Sequence, residues 1–147
     1  MPIESVNPYS GQTIKTYVEF TQEKVDLVLD VAESTYHRWR ESSFAQRGEP
    51  MHRAGKILRD GKEEYARLIA SEMGKPLAQG RTEADKCAWV CDYYADHAAA
   101  FLSTEYVETH PTRSRVEFHP LGVILGVMPW NFPFWQVFRF AVPAMMA

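Results

Sequence analysis

The run Leu121-Gly122-Val123-Ile124-Leu125-Gly126-Val127-Met128 is apolar at every position, and Pro129 closes it. A strand with one wet face alternates polar and apolar residues, and this run does not. It suits a strand buried on both faces, as in a parallel sheet covered by helices. The fold class expected is therefore α/β. Pro133 fits the first turn of a following helix, which Pro143 should kink or restart. The sequence stops at Met145-Met146-Ala147, inside an apolar helical pattern with no cap. Domains rarely end in this way, so the expectation is a truncated chain.

From Leu121 to Ala147 the chain is long and apolar enough to raise a membrane span. Pro129, Pro133 and Pro143 interrupt it, and Asn131 and Arg139 sit inside it. Each would be costly in hydrocarbon, whereas a buried strand, turn and helix accommodates them all.

Upstream, four helices follow in series. Ile3–Val6 and Thr13–Phe20 read as a small hairpin around Asn7-Pro8-Tyr9-Ser10-Gly11, where Pro and Gly supply turn geometry. Thr21 caps a first helix carrying Val25, Val28, Leu29, Ala32, Tyr36 and Trp39 at helical spacing. Ser43 and Gln46 form a capping box for a second helix that ends at Asp60-Gly61. A third runs from Lys62 to about Met73 and stops at Gly74. Pro76 opens a fourth that reaches about Leu102, with a stripe of Cys87, Cys91, Tyr94, Ala95, Ala98, Phe101 and Leu102. Glu105–Glu108 and Arg115–Phe118 then alternate as a two-stranded ribbon, with His110-Pro111-Thr112-Arg113-Ser114 as its turn.

A net charge of -3 with mixed signs gives no basic stripe, which argues against nucleic acid or an anionic membrane as partner. Cys87 and Cys91 make neither a disulfide framework nor a zinc site, and the five histidines show no ligand spacing, so no metal is expected. Cys87 and Cys91 read instead as small packing residues of a helix stripe. The opening residues lack a basic region followed by an apolar one, so the default setting is cytoplasmic.

Two polar residues in the apolar segment could carry chemistry. Asn131 stands at the tip of a proline-bounded turn, beyond the carboxyl end of the expected strand, where ligands bind in open α/β sheets. Its neutral amide could cap the next helix or donate to an oxyanion. Arg139 is the one charge between Leu121 and Ala147. It could form a structural salt bridge, or its fork of donors could grip a ligand carboxylate.

Pro129-Trp130-Asn131-Phe132-Pro133 after such a strand resembles the opening of the dinucleotide-binding core of aldehyde dehydrogenases. Asn7-Pro8-Tyr9-Ser10-Gly11, Ala45-Gln46-Arg47, Glu72-Met73-Gly74-Lys75-Pro76 and Tyr93-Tyr94-Ala95 fit the same family in the same order. The run Pro133–Arg139 is similar to the succinate-semialdehyde dehydrogenases. This resemblance implies the N-terminal part of the aldehyde dehydrogenase fold. Residues 1–102 would be the hairpin and helices of the cofactor-binding domain, 103–120 a ribbon like the family's oligomerisation hairpin, and 121–147 the first strand and helix of a Rossmann-like parallel sheet. It implies NAD or NADP lined by Val127, Met128, Pro129 and Trp130. Asn131 matches the oxyanion-hole donor, Phe132 a wall of the aldehyde tunnel, and Arg139 a grip on the distal carboxylate of a semialdehyde acid. The expected partners are a small aldehyde, such as succinate semialdehyde, and further copies in a homodimer or tetramer. The family's nucleophilic cysteine and glutamate base have no match in the chain, so residues 1–147 alone are expected to be inactive. The alternatives are a non-catalytic fragment acting in folding or subunit pairing, or a dehydrogenase for a different small aldehyde.

Overall fold

The computed structural model describes residues 3–109 and 113–147. β1 (Ile3–Val6) and β2 (Thr13–Tyr17) pair antiparallel, with Ile3 opposite Tyr17. Asn7 Oδ1 accepts the amides of Tyr9 and Ser10 and shapes the connection, in which Gly11 takes φ 70°. That left-handed value suits a residue without Cβ. β2 stops three residues short of the expected Phe20, because the described part of β1 offers no partner beyond Ile3.

α1 (Gln22–Trp39) starts where Thr21 Oγ1 accepts the Lys24 amide. α2 (Phe44–Asp60) starts at the expected capping box, with the Ser43 hydroxyl on the Gln46 amide and the Gln46 side chain on the Ser43 amide. α3 (Lys62–Met73) ends at Gly74, whose φ of 68° makes it a left-handed cap. α4 (Leu77–Phe101) follows Pro76, and α5 (Pro133–Met146) has Pro133 in its first turn.

α4 is the centre of the fold, with α2, α3 and α5 packed around it. Cys87, Cys91 and Ala88 are fully buried there, in one core with Met51, Leu58, Val142 and Met146, and Ala84 of α4 and Ile69 of α3 are buried as well. Small residues set the spacing. A Cβ at Gly55 of α2 would stand 3.1 Å from the Ala88 carbonyl of α4, and one at Gly80 of α4 only 3.0 Å from Ala66 Cα of α3. Side chains of ordinary size would hold these helices further apart.

The structure departs from the apolar patterns at several places. The α1 stripe is covered only in part: Val25, Val28 and Leu29 are exposed, while Ala32, Tyr36 and Trp39 are half-buried. α1 is held near its C-terminal end, where the Tyr36 hydroxyl donates to the Pro120 carbonyl and Trp39 Nε1 donates to that of Met145. The run 121–128 forms no hydrogen-bonded ladder, and Leu121, Leu125 and Val127 are exposed. A parallel strand takes its ladder from neighbours, and the described residues supply none. α5 continues through Pro143 to Met146 without restarting. Proline gives up its own bond to the Arg139 carbonyl and its ring crowds that oxygen, but the helix is carried on by the bonds beyond it, the Pro143 carbonyl accepting from the Ala147 amide. Finally, Phe101 is half exposed, so the buried stripe of α4 ends at Ala98.

β3 (Glu105–Val107) and β4 (Ser114–Val116) form the expected ribbon, with Tyr106 opposite Arg115. Both strands are shorter than expected and exposed on both faces. Of the expected turn, His110, Pro111 and Thr112 lie outside the described residues. No helix among the described residues is long and apolar enough to cross a membrane.

Candidate active site

The turn 129–132 leads into α5, and α4 lies beneath it. Phe132, at φ -140°, is the cap residue of α5, and it brings no side-chain acceptor. Glu83, on α4, provides one from across the interface. Its Oε1 accepts the amides of Phe134 and Trp135, each at 3.0 Å. A carboxylate at a helix N-terminus satisfies orphan donors and opposes the positive end of the dipole. Glu83 is only 4% exposed, and its other oxygen binds the ammonium of Lys75, itself 9% exposed. The same ammonium sits 3.7 Å from the centre of the Phe132 ring. Lys75, Glu83, Phe132 and the start of α5 thus form one connected unit.

A cavity of about 450 Å³ opens beside that unit. Gln79, Thr82, Glu83 and Lys86 of α4 line one side, and Phe132 and Trp135 line the other. The Lys86 ammonium lies over the Trp135 ring at 3.9 Å, so an apolar wall carries a positive charge at its edge.

Asn131 is exposed and stands one position before the cap of α5. The capping reading therefore fails, because the cap is Phe132 and the acceptor at the helix end is Glu83. The amide stays at the tip of the turn, next in sequence to the cavity wall. Val127 and Trp130 are 86% and 78% exposed, Pro129 is exposed and Met128 half-buried. Gly126 lies against the Phe140 ring, which a Cβ there would meet at 2.7 Å. Arg139 is exposed, is not on the cavity wall, and has no carboxylate partner among the described residues. The structure thus joins Phe132 to the cavity and leaves Arg139 outside it.

The two cysteines are chemically quiet. Burial pushes the Cys87 thiol up to about 12, helped by the charge of Glu83, and burial with the charge of Asp92 takes Cys91 to about 11. Neither is a ready nucleophile.

Sequence reasoning missed Lys75, Glu83, Thr82 and Lys86 as site residues. A signal for Glu83 was present. It lies four and eight residues before Cys87 and Cys91, on the stripe that α4 buries, and a carboxylate there needs a cation and donors.

The model of the Aldehyde dehydrogenase family matches residues 1–147. The chain is 48% identical over 147 residues to a protein of Synechocystis sp. named probable succinate-semialdehyde dehydrogenase [NADP(+)], covering all of this chain and 32% of that one. It is 40% identical over 143 residues to the succinate semialdehyde dehydrogenase [NAD(P)+] Sad of Escherichia coli, covering 97% of this chain and 31% of that protein. Among solved structures, a succinic semialdehyde dehydrogenase from Streptococcus pyogenes, in complex with NADP+, superposes with a TM-score of 0.93 at 33% identity. It covers 97% of this chain and 32% of the other. The chain spans about a third of the length of the curated relatives it matches.

Proposed function

Because the chain belongs to the aldehyde dehydrogenase family, we propose that its protein oxidises an aldehyde to the carboxylic acid with NAD or NADP, and that the aldehyde is succinate semialdehyde. The observation that carries this reading is the turn before α5, where an uncommitted amide, Asn131, stands beside the aromatic wall of a cavity. The names of the similar proteins from Synechocystis and Escherichia coli support the substrate and the cofactor.

In this mechanism a thiolate attacks the aldehyde carbon, and the carbonyl electron pair moves to oxygen. The Asn131 amide donates to that oxygen and stabilises the charge; one such donor contributes about 3 kcal/mol to lowering the barrier. Phe132 walls the approach of the aldehyde chain and excludes water. A dinucleotide held along Val127, Met128, Pro129 and Trp130 would supply the two-electron acceptor for the hydride that leaves the carbon. Water then hydrolyses the resulting thioester. The thiolate comes from neither Cys87 nor Cys91, since both are buried and hard to ionise, so residues 1–147 alone are inactive. For the dinucleotide, Val127, Met128, Pro129 and Trp130 offer an open face of apolar side chains, which fits van der Waals contact with flat rings. Arg139, with no acid beside it among the described residues, is free to pair with the distal carboxylate. The exposed β3–β4 ribbon offers unpaired edges for joining a second copy in a dimer or tetramer.

The test is NAD(P)H absorbance with succinate semialdehyde in the full-length protein. Asn131→Ala should lower kcat by about 100- to 1000-fold. Arg139→Leu should raise KM for succinate semialdehyde at least tenfold and leave butanal, which has no carboxylate, unchanged. Turnover unaffected by Asn131→Ala would overturn the assignment of that residue.

A further inference from the structure

We propose that Lys75 and Glu83 are positioning residues that fix the Asn131–Phe132 turn from beneath, so the oxyanion donor is aimed by an ion pair on another part of the fold. The inference rests on the role proposed for Asn131, but its geometry stands independently.

Three contacts carry it. Glu83 Oε1 holds the Phe134 and Trp135 amides at 3.0 Å each, and so pins the first turn of α5 to the middle of the helical core. Glu83 also binds Lys75, at the α3–α4 junction between the left-handed Gly74 and Pro76. Lys75 in turn lies 3.7 Å from the Phe132 ring. The side chain of Phe132 and the two amides that follow it are therefore held by one buried pair. Asn131 is the next residue outward. Its backbone direction is set by where Phe132 is fixed, since the turn brings no side-chain cap of its own.

Burial of the pair favours a positional role over a general stabilising one. Two ions taken out of water recover little net stability, compared with a well-packed apolar pair. What they supply is direction: the carboxylate must face the two amides, and the ammonium must face both carboxylate and ring. An oxyanion donor needs such fixed placement, because a misplacement of about 1 Å in a reacting group can cost roughly 100-fold in rate.

The experiment uses the full-length protein and two readouts. Amide hydrogen exchange of the peptide containing Phe134 and Trp135 reports the cap without needing activity. In Glu83→Ala and Lys75→Met it should quicken by at least about tenfold, while α2 and α3 peptides keep wild-type protection. Should Glu83→Ala not fold, Glu83→Gln keeps the shape and one acceptor and should quicken the same peptide by a smaller factor. The second readout is steady-state kinetics. Lys75→Met should lower kcat at least tenfold with KM for the aldehyde within about twofold. In an Asn131→Ala background it should lower kcat little further, because the donor it positions is gone. Unchanged exchange around Phe134, or protection lost equally throughout, would overturn the proposal. So would multiplicative losses in the double variant. A wild-type protein without aldehyde turnover would instead defeat the dehydrogenase reading, and the exchange result would still decide the role of the pair.

Discussion

Arg47 Nη1 donates to the Met146 carbonyl at 3.0 Å, joining the start of α2 to the end of α5 across 99 residues of sequence. Its other donors reach the carbonyls of Ser42 and Arg40 and the Ser42 hydroxyl. The side chain is buried, and every one of these acceptors is a neutral oxygen. Arg47→Ala removes several charge-assisted bonds together and should destabilise by about 2–4 kcal/mol. Arg47→Lys should recover less than half, because an ammonium cannot span the fork. Urea melts of the three proteins, read by circular dichroism, check both values.

Gly80 tests the close approach of α3 and α4. Alanine would gain roughly 1 kcal/mol of helix propensity, yet its Cβ would press on Ala66 Cα at 3.0 Å and on the Ala66 carbonyl at 3.2 Å. Backbone atoms cannot swing aside, so Gly80→Ala should be destabilising by about 1–3 kcal/mol. A melting temperature equal to or above wild type would mean that the helices can part without cost.

The cysteines should resist modification. At pH 8, thiols titrating at about 12 and 11 are ionised to roughly one part in ten thousand and one in a thousand. Iodoacetamide should label neither Cys87 nor Cys91 until the protein unfolds, and should label both in urea. Mass spectrometry counts the adducts; rapid labelling of the folded protein would show that α4 opens readily.

Acid should act through Asp92. Burial pushes its carboxyl up, but hydrogen bonds from Arg59 and from His52, at 2.9 Å, outweigh burial and hold it below its ordinary value near 3.8. Below that ordinary value the unfolded chain binds this proton more readily than the folded one does. The contribution is therefore complete above about pH 4 and is lost as pH falls through the lowered native value. Asp92→Asn should weaken the protein at pH 7 and flatten the acid limb of its stability profile. Denaturant midpoints between pH 2 and 7 measure this, and parallel acid limbs for the two proteins would count against it.

Residues 1–147 expressed alone should associate or fold only in part. Val25, Val28 and Leu29 of α1 are exposed, as are Leu121, Leu125 and Val127, and patches of this kind drive aggregation. Sedimentation velocity across a range of concentrations checks it. A monomer with one sharp cooperative melt would contradict the expectation.

What the sequence made legible was local. Thr21, the Ser43–Gln46 box, Gly74 and Pro133 act through neighbours within four residues, and each marks the helix end it was expected to mark. Contacts between distant segments were not legible. Spacing placed Val25 and Leu29 on an apolar stripe but could not say what would cover it. Leu121–Met128 reads as a buried strand, yet a ladder depends on partners that periodicity does not reveal. At the candidate site, Phe132 was identified through resemblance. Glu83 was passed over because the seven apolar or aromatic members of its stripe drew attention from one carboxylate before them, and because its partners lie 8, 51 and 52 residues away.

The place of α4 at the centre of the fold also sets an order in time. α2, α3 and α4 are joined by connections of a few residues, so their mutual contacts close short loops and can form early. α5 reaches α4 only after the longer excursion through β3, β4 and the run 121–128, and its docking closes the largest loop among the helices. On this order Glu83 should be in place on the three-helix platform before Phe134 and Trp135 arrive. Substitutions within the three-helix platform should slow folding, whereas those at the α5 contact should chiefly hasten unfolding.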